Sequence, residues 1–168
     1  MREHMGLFRG ERLDNGEWVR GFYVRLYDNK GNESHRIYPG YAETDCGDYY
    51  PDWYEVDPET VGQFAGIFDT ELMPVHEGDI VRFLDYVGKI EFYSGCFGVA
   101  INGMIDWDHI DEEMEEYAGT NQLTACLNDN FISLWEILWN FNCEENICNV
   151  FEVIGNIHDN PELLEVNK

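Results

Sequence analysis

Basic residues are scarce in this sequence: ten Lys and Arg stand against 34 Asp and Glu, a net charge of −24. Most of such a surface would repel a phosphate backbone, so direct nucleic-acid binding is not expected. Anionic membrane is disfavoured for the same reason. Long apolar runs are missing as well. The opening Met-Arg-Glu-His-Met-Gly offers no signal-peptide core, and the run from Phe131 to Phe141 is broken by Ser133, Glu136 and Asn140. The expected location is the cytoplasm, where thiols stay reduced. Five cysteines fit that setting. Cys46, Cys96 and Cys126 are scattered, and Cys143 and Cys148 enclose four residues without a second close pair or a histidine at ligand spacing. No structural metal and no cofactor is expected, and the thiols are expected free and mostly buried.

Catalytic signatures are absent too. No GxxxxGK(S/T) or GxGxxG phosphate loop, GxSxG elbow or HExxH pair occurs. Histidines 4, 35, 76, 109 and 158 stand singly. With 34 carboxylates available, a pair of acids meeting in space says nothing about acid–base chemistry. Asp106, Asp108, Asp111 and Glu112 crowd together, yet they lack the central Gly and closing Glu of an EF-hand loop. The motifs give no reason to expect an enzyme.

What is present is enough to close a core: 44% hydrophobic and 15% aromatic residues in a 168-residue chain. That length fits a single domain, 1–168. Charge is unevenly spread. Residues 1–36 hold seven Lys/Arg and six Asp/Glu, whereas 37–168 hold three and 28. Periodicity predicts strands joined by tight turns. Asp14-Asn15-Gly16 separates Leu7-Phe8-Arg9 from the run Trp18 to Tyr27, and an Asn-Gly pair tolerates positive φ at both central turn positions. Both faces of that run are partly apolar, as in a strand covered on two sides. From 39 to 58, Pro39-Gly40, Gly47, Pro51 and several Asp residues predict an irregular acidic and aromatic excursion. From 78 onward, four short strands over Ile80–Leu84, Lys89–Tyr93, Cys96–Ile101 and Met104–Trp107 predict an antiparallel meander. Such a sheet is expected to close into a small barrel-like or sandwich domain that hides its edges.

One or two short helices are expected between about 108 and 142, within an acidic insertion at about 105–149. Asp108 is the expected cap of the first, with Ile110, Met114 and Tyr117 as its inward stripe. Ser133 and Glu136 form the capping box of the second. That helix is apolar nearly all round through Leu134, Trp135, Ile137, Leu138, Trp139 and Phe141, and so is buried or docked on something else. A strand reading of 131–142 stays open. A last strand, Val150–Ile157, and a helical turn at Asn160-Pro161 complete the chain.

Three stretches carry a resemblance: Phe8-Arg9-Gly10 through Trp18-Val19-Arg20-Gly21, Val56-Asp57-Pro58 through Gly78-Asp79-Ile80-Val81, and Val153-Ile154-Gly155-Asn156 through Leu163-Leu164. In order and placement they resemble the YopX family of small phage and prophage proteins. The chain departs from the family at Phe64-Ala65-Gly66, where Tyr-Thr-Gly is usual, and at 68–76. The resemblance implies a β-rich fold and a phage setting in a bacterial host cell, and it implies no activity. Its glycines and Asp-Pro and Asn-Pro pairs suit bulges, tight turns and helix starts, which makes them fold determinants.

The expected function is a non-enzymatic protein-binding module acting on a host or phage protein, one that is basic or itself binds nucleic acid. Asp106, Asp108, Asp111, Glu112, Glu113, Glu115 and Glu116 are the expected interface, acids facing outward from a helix. Two other classes stay open: a DNA-mimic inhibitor using the acidic surface, and an enzyme or small-ligand-binding barrel with scattered site residues. Homo-oligomerisation is left open.

Overall fold

The computed structural model of the chain describes residues 7–43, 49–106, 108–110, 112, 130–141, 147 and 150–165. The chain is mainly β, and the registered strand pairs are antiparallel. It divides into two compact units, Met1–Phe64 and Ala65–Lys168.

In the first unit β1 (Phe8–Glu11), β2 (Trp18–Tyr27), β3 (Glu33–Glu43), β4 (Tyr49–Glu55) and the start of β5 (Gly62–Phe68) lie in the order β4-β3-β2-β1-β5. The β1–β2 hairpin forms where the Asn-Gly signal predicts it. Its pairing continues to the Arg12 N–H on the Glu17 carbonyl, 3.0 Å, so four residues and not two make the loop. Gly16 alone takes positive φ there, at 74°. The described residues of the segment 39–58 are not irregular: residues 39–43 continue β3, residues 49–55 form β4, and the Asp57 carboxylate caps a 3-10 turn, Pro58–Thr60. β2 is not covered on two sides either: Phe22 is 53% exposed and Tyr27 59%. The core of this unit is thin, with Ile37 and Val56 buried against Gly10.

Three carboxylates of this unit are held below their usual range. Asp14 is lowered first by its hydrogen bond from Arg12, Asp28 by that from Asn32, and Glu33 by that from Arg25. A folded-state value below the unfolded one contributes stability above the unfolded range, and that contribution is lost as pH falls through the folded value. On acid titration followed by carboxyl carbon shifts, these three are therefore expected to protonate at lower pH in the folded chain than in the urea-unfolded one.

In the second unit the far end of β5 neighbours β6 (Pro74–His76). A second sheet follows, built from β7 (Asp79–Phe83), β8 (Tyr86–Tyr93), β9 (Cys96–Ile101), β10 (Phe131–Ser133) and β11 (Phe151–Asn156) in the order β10-β9-β8-β7-β11. Three of the four expected meander strands form. The fourth does not at its described residues: 104–106 form no strand, and β10 takes the place beside β9. Among the described residues neither sheet closes into a barrel.

A helix, Leu134–Asn140, leaves β10 directly. Ser133 caps it, its hydroxyl accepting the Glu136 N–H at 3.2 Å, as the capping box predicts. Leu134, Ile137 and Phe141 are buried with Val81, Phe83 and Ile132 in one apolar cluster. Phe83 meets Phe141 edge to face, ring centroids 5.6 Å apart. At 108–110 the backbone is helical, but Asp108 is not the cap. The Asp106 carboxylate accepts the His109 N–H at 3.3 Å, and Ile110 is fully buried as expected of the stripe. Met114 and Tyr117 lie outside the described residues.

Candidate functional site

Of the seven acids expected at the interface, Asp106, Asp108 and Glu112 are described, and all three are exposed. Asp106 is fixed through its backbone: its N–H donates to the Tyr86 hydroxyl at 3.1 Å. Asp111, Glu113, Glu115 and Glu116 lie outside the described residues, so the acidic face itself is not on view.

Among the described residues the most exposed aromatic surface of the second unit lies elsewhere, on the helix Leu134–Asn140. Its i, i+3 and i+7 residues Leu134, Ile137 and Phe141 face the core, Leu138 packs against the edge of the same cluster, and Trp135 and Trp139 turn outward. Trp135 is 66% exposed and Trp139 72%. One turn apart, their indoles stack with centroids 5.5 Å apart and planes 6° from parallel. A short helix with both sides apolar is explained if one side packs inward and the other awaits a partner. Indole rings carry large apolar area with few rotatable bonds, and each π-face attracts cations. Residues 65–168 surround this pair with 21 Asp/Glu and three Lys/Arg in sequence.

A second feature of this unit is a hollow of about 390 Å³ lined by Lys89, Glu91, Ala100, Ile101, Asn102, Asn130 and Leu164. Strands β8 and β9 form its floor, with Lys89 opposite Ala100 in register. The Lys89 ammonium pairs with Glu91 at 2.9 Å, and the Asn102 amide donates to the Leu164 carbonyl. That volume falls within the range of small-ligand pockets. A cation, an anion and two carboxamides at one place could read a small polar molecule.

In the first unit, one cluster has the topology of a catalytic triad. The Tyr23 hydroxyl meets His35 Nδ1, His35 Nε2 lies 2.7 Å from Glu33, and Arg25 holds Glu33 from the other side. Burial, however, pushes the Tyr23 phenol up, which opposes the phenolate a nucleophile would need. The cluster reads as a cross-strand network tying β2 to β3. Among the described residues no group of three His, Cys, Asp or Glu could hold a metal. Cys96 is free and half-buried, and the other four cysteines lie outside the described residues. No helix among the described residues is long and apolar enough to cross a membrane.

The profile of the family described as YopX protein matches residues 7–165. The chain belongs to the YopX family. No curated protein matches it. Two glycines in the YopX resemblance motifs show why such positions suit a fold. A Cβ on Gly21 would lie 2.3 Å from the Tyr38 carbonyl oxygen across the β2–β3 pair. A Cβ on Gly155 would lie 2.6 Å from Asn160 Oδ1, inside the turn that ends the YopX match. In both places backbone or packed side chain fills the space a larger residue needs.

The exposed tryptophan pair was missed as a site in the sequence. Its signal was there, in two tryptophans four residues apart on a short, mostly apolar helix.

Proposed function

We propose that this chain is a non-enzymatic protein-binding module, a phage or prophage accessory protein working in the cytoplasm of a bacterial host. Its occupant is a basic segment of a host or phage protein, and its contact surface is the helix bearing Trp135 and Trp139. The observation that carries this reading is the stacked, exposed indole pair on a helix whose other side is buried. Tryptophan is enriched at energetic centres of interfaces, and a Lys or Arg side chain gains over an indole face. The excess of 18 acids over bases in residues 65–168 favours a partner of opposite sign and speeds its encounter. The hollow at Lys89 and Glu91 supports a second reading, in which the unit holds a small polar ligand.

The test uses a short arginine-rich peptide as the probe, with intrinsic tryptophan fluorescence as the readout. The intact chain is expected to bind it in a salt-sensitive manner. Truncating an interface tryptophan costs about 2 kcal/mol or more, so Trp135→Ala/Trp139→Ala is expected to weaken binding at least about tenfold, measured calorimetrically. Because both rings are largely exposed, the double variant should melt within a degree or two of the parent, as surface changes of about 0.5 kcal/mol imply. Unchanged affinity in the double variant would remove this helix from the interface.

A further inference from the structure

The first unit sorts its arginines by face. Side chains directly opposite in register share a side of the sheet. On the side of Ile37, Arg12 binds Asp14 and Glu17, and Arg25 binds Glu33, so these cations are neutralised internally. The opposite side carries Arg9 opposite Arg20, Phe22 opposite Tyr38, Val24 opposite Arg36, and then Trp53. There Arg20 and Arg36 bind no carboxylate among the described residues, in a chain that holds 34 of them. Arg36 lies over the Trp53 ring at 3.9 Å, and its buried Nε has no hydrogen-bond partner. Arg9 lies over Trp18 at 4.9 Å. Glu11 and Glu55 also stand on this face, opposite Trp18 and Arg36 in register.

The pattern is an open antiparallel sheet on which arginine and aromatic side chains interleave: Arg9 and Trp18, Arg20, Phe22 and Tyr38, then Arg36 and Trp53. Phe22 and Trp53 are 53% and 42% exposed, and Arg20 is exposed. Exposed rings on strands offer π-faces on which bases stack, and the guanidinium groups of Arg20 and Arg36 offer paired donors to phosphate. An acidic peptide would use the arginines and leave the flat rings idle. We propose that this face binds a short single strand of nucleic acid by stacking and phosphate contact, independently of the tryptophan helix. The net charge of −24 does not forbid it. Distant charges are screened beyond about 10 Å at 0.1 M salt, so the acidity slows encounter more than it opposes contact. It does restrict the site to short, single-stranded ligands, since a long duplex would bring many more phosphates against the acidic surface.

Fluorescence anisotropy of a labelled oligothymidine against the full chain tests this. Binding is expected at low salt, with two neutralised phosphates giving a log–log salt slope of about −1.4. Arg20→Gln/Arg36→Gln is expected to weaken binding at least tenfold and flatten that slope. Because Arg36 also packs on Trp53, Phe22→Ala serves as the second variant: it is exposed, should leave the melting temperature in place, and should weaken binding severalfold. Trp135→Ala/Trp139→Ala should bind the oligonucleotide as the parent does, which separates this site from the peptide interface. Absence of binding, equal binding of an equivalent duplex, equal binding of poly-glutamate, or indifference to the Arg20, Arg36 and Phe22 changes would each overturn the proposal.

Discussion

Phe83→Ala is expected to destabilise the second unit by about 3–5 kcal/mol, the range for a fully buried phenylalanine cut to alanine. Phe83 has no exposed surface, and its ring meets Phe141 edge to face in the cluster that also holds Ile132 and Ile137. Two losses add there: the transfer free energy of the ring, and the contacts forfeited around the cavity it leaves. The substitution also reaches function, because Phe141 closes the helix that presents Trp135 and Trp139. Urea unfolding followed by circular dichroism should show the midpoint fall. Peptide binding should weaken even though both tryptophans remain. A loss below about 1 kcal/mol would mean that the core relaxes around the gap, and that Phe83 does not set the helix.

How much of this was legible in the sequence depended on whether a feature is local. Turns were read well: Asn15-Gly16 and Ser94-Gly95 join strands, and Ser133 with Glu136 starts a helix, because these depend on a few neighbouring residues. Residues 39–43 and 49–55 were misread because Pro39 and Pro51, with the Gly and Asp residues around them, looked like breakers. Pro39 sits where the β3–β4 register shifts between Ile37 and Gly40, and Pro51 sits on β4, the edge strand. At both kinds of place a missing N–H is tolerated, so proline there is compatible with a strand. The pairing of β10 was hidden for another reason. Its three residues pair with β9, some thirty positions earlier, and nothing within Phe131-Ile132-Ser133 announces that partner.

The candidate surfaces follow the same division. That the helix at 134–140 is apolar nearly all round can be read from its residues. Which side turns outward is set by Phe83, Val81 and Ile132, brought in by other strands. The arginine sorting needs both levels. Alternation along β2 alone separates Arg20 from Arg25, but only the register with β1 and β3 puts Arg9 and Arg36 on the Arg20 side. The expected acidic interface rested on a charge run, and charge runs identify a solvated face more readily than a binding one.

A single buried carboxylate shows how a tertiary contact invisible in the sequence can hold two distant segments of the YopX match together. Asp69 is 1% exposed. One of its oxygens accepts the Glu71 and Met73 N–H groups at 2.9 and 2.8 Å, which fastens the turn where Leu72 takes φ 61°. The other accepts the Val153 N–H at 3.0 Å, 84 residues away. Val153 stands at the bulge in β11, the edge strand beside β7, and Asp69 takes the N–H that a further strand would otherwise receive. Asp69→Ala leaves three backbone donors without that acceptor. Each buried unsatisfied donor costs about 1–3 kcal/mol, with water reaching those of the exposed turn, so a loss of about 3–5 kcal/mol is expected. Asp69→Asn should fall between the two, because its carbonyl can still serve the turn while its amide would point a donor at the Val153 N–H. Urea unfolding gives the size of the loss, and amide exchange gives its location. Val153 should exchange markedly faster in Asp69→Asn, whereas Glu71 and Met73 should change little. If all three amides keep their parent exchange rates in Asp69→Ala, the carboxylate does not tie β11 to the turn.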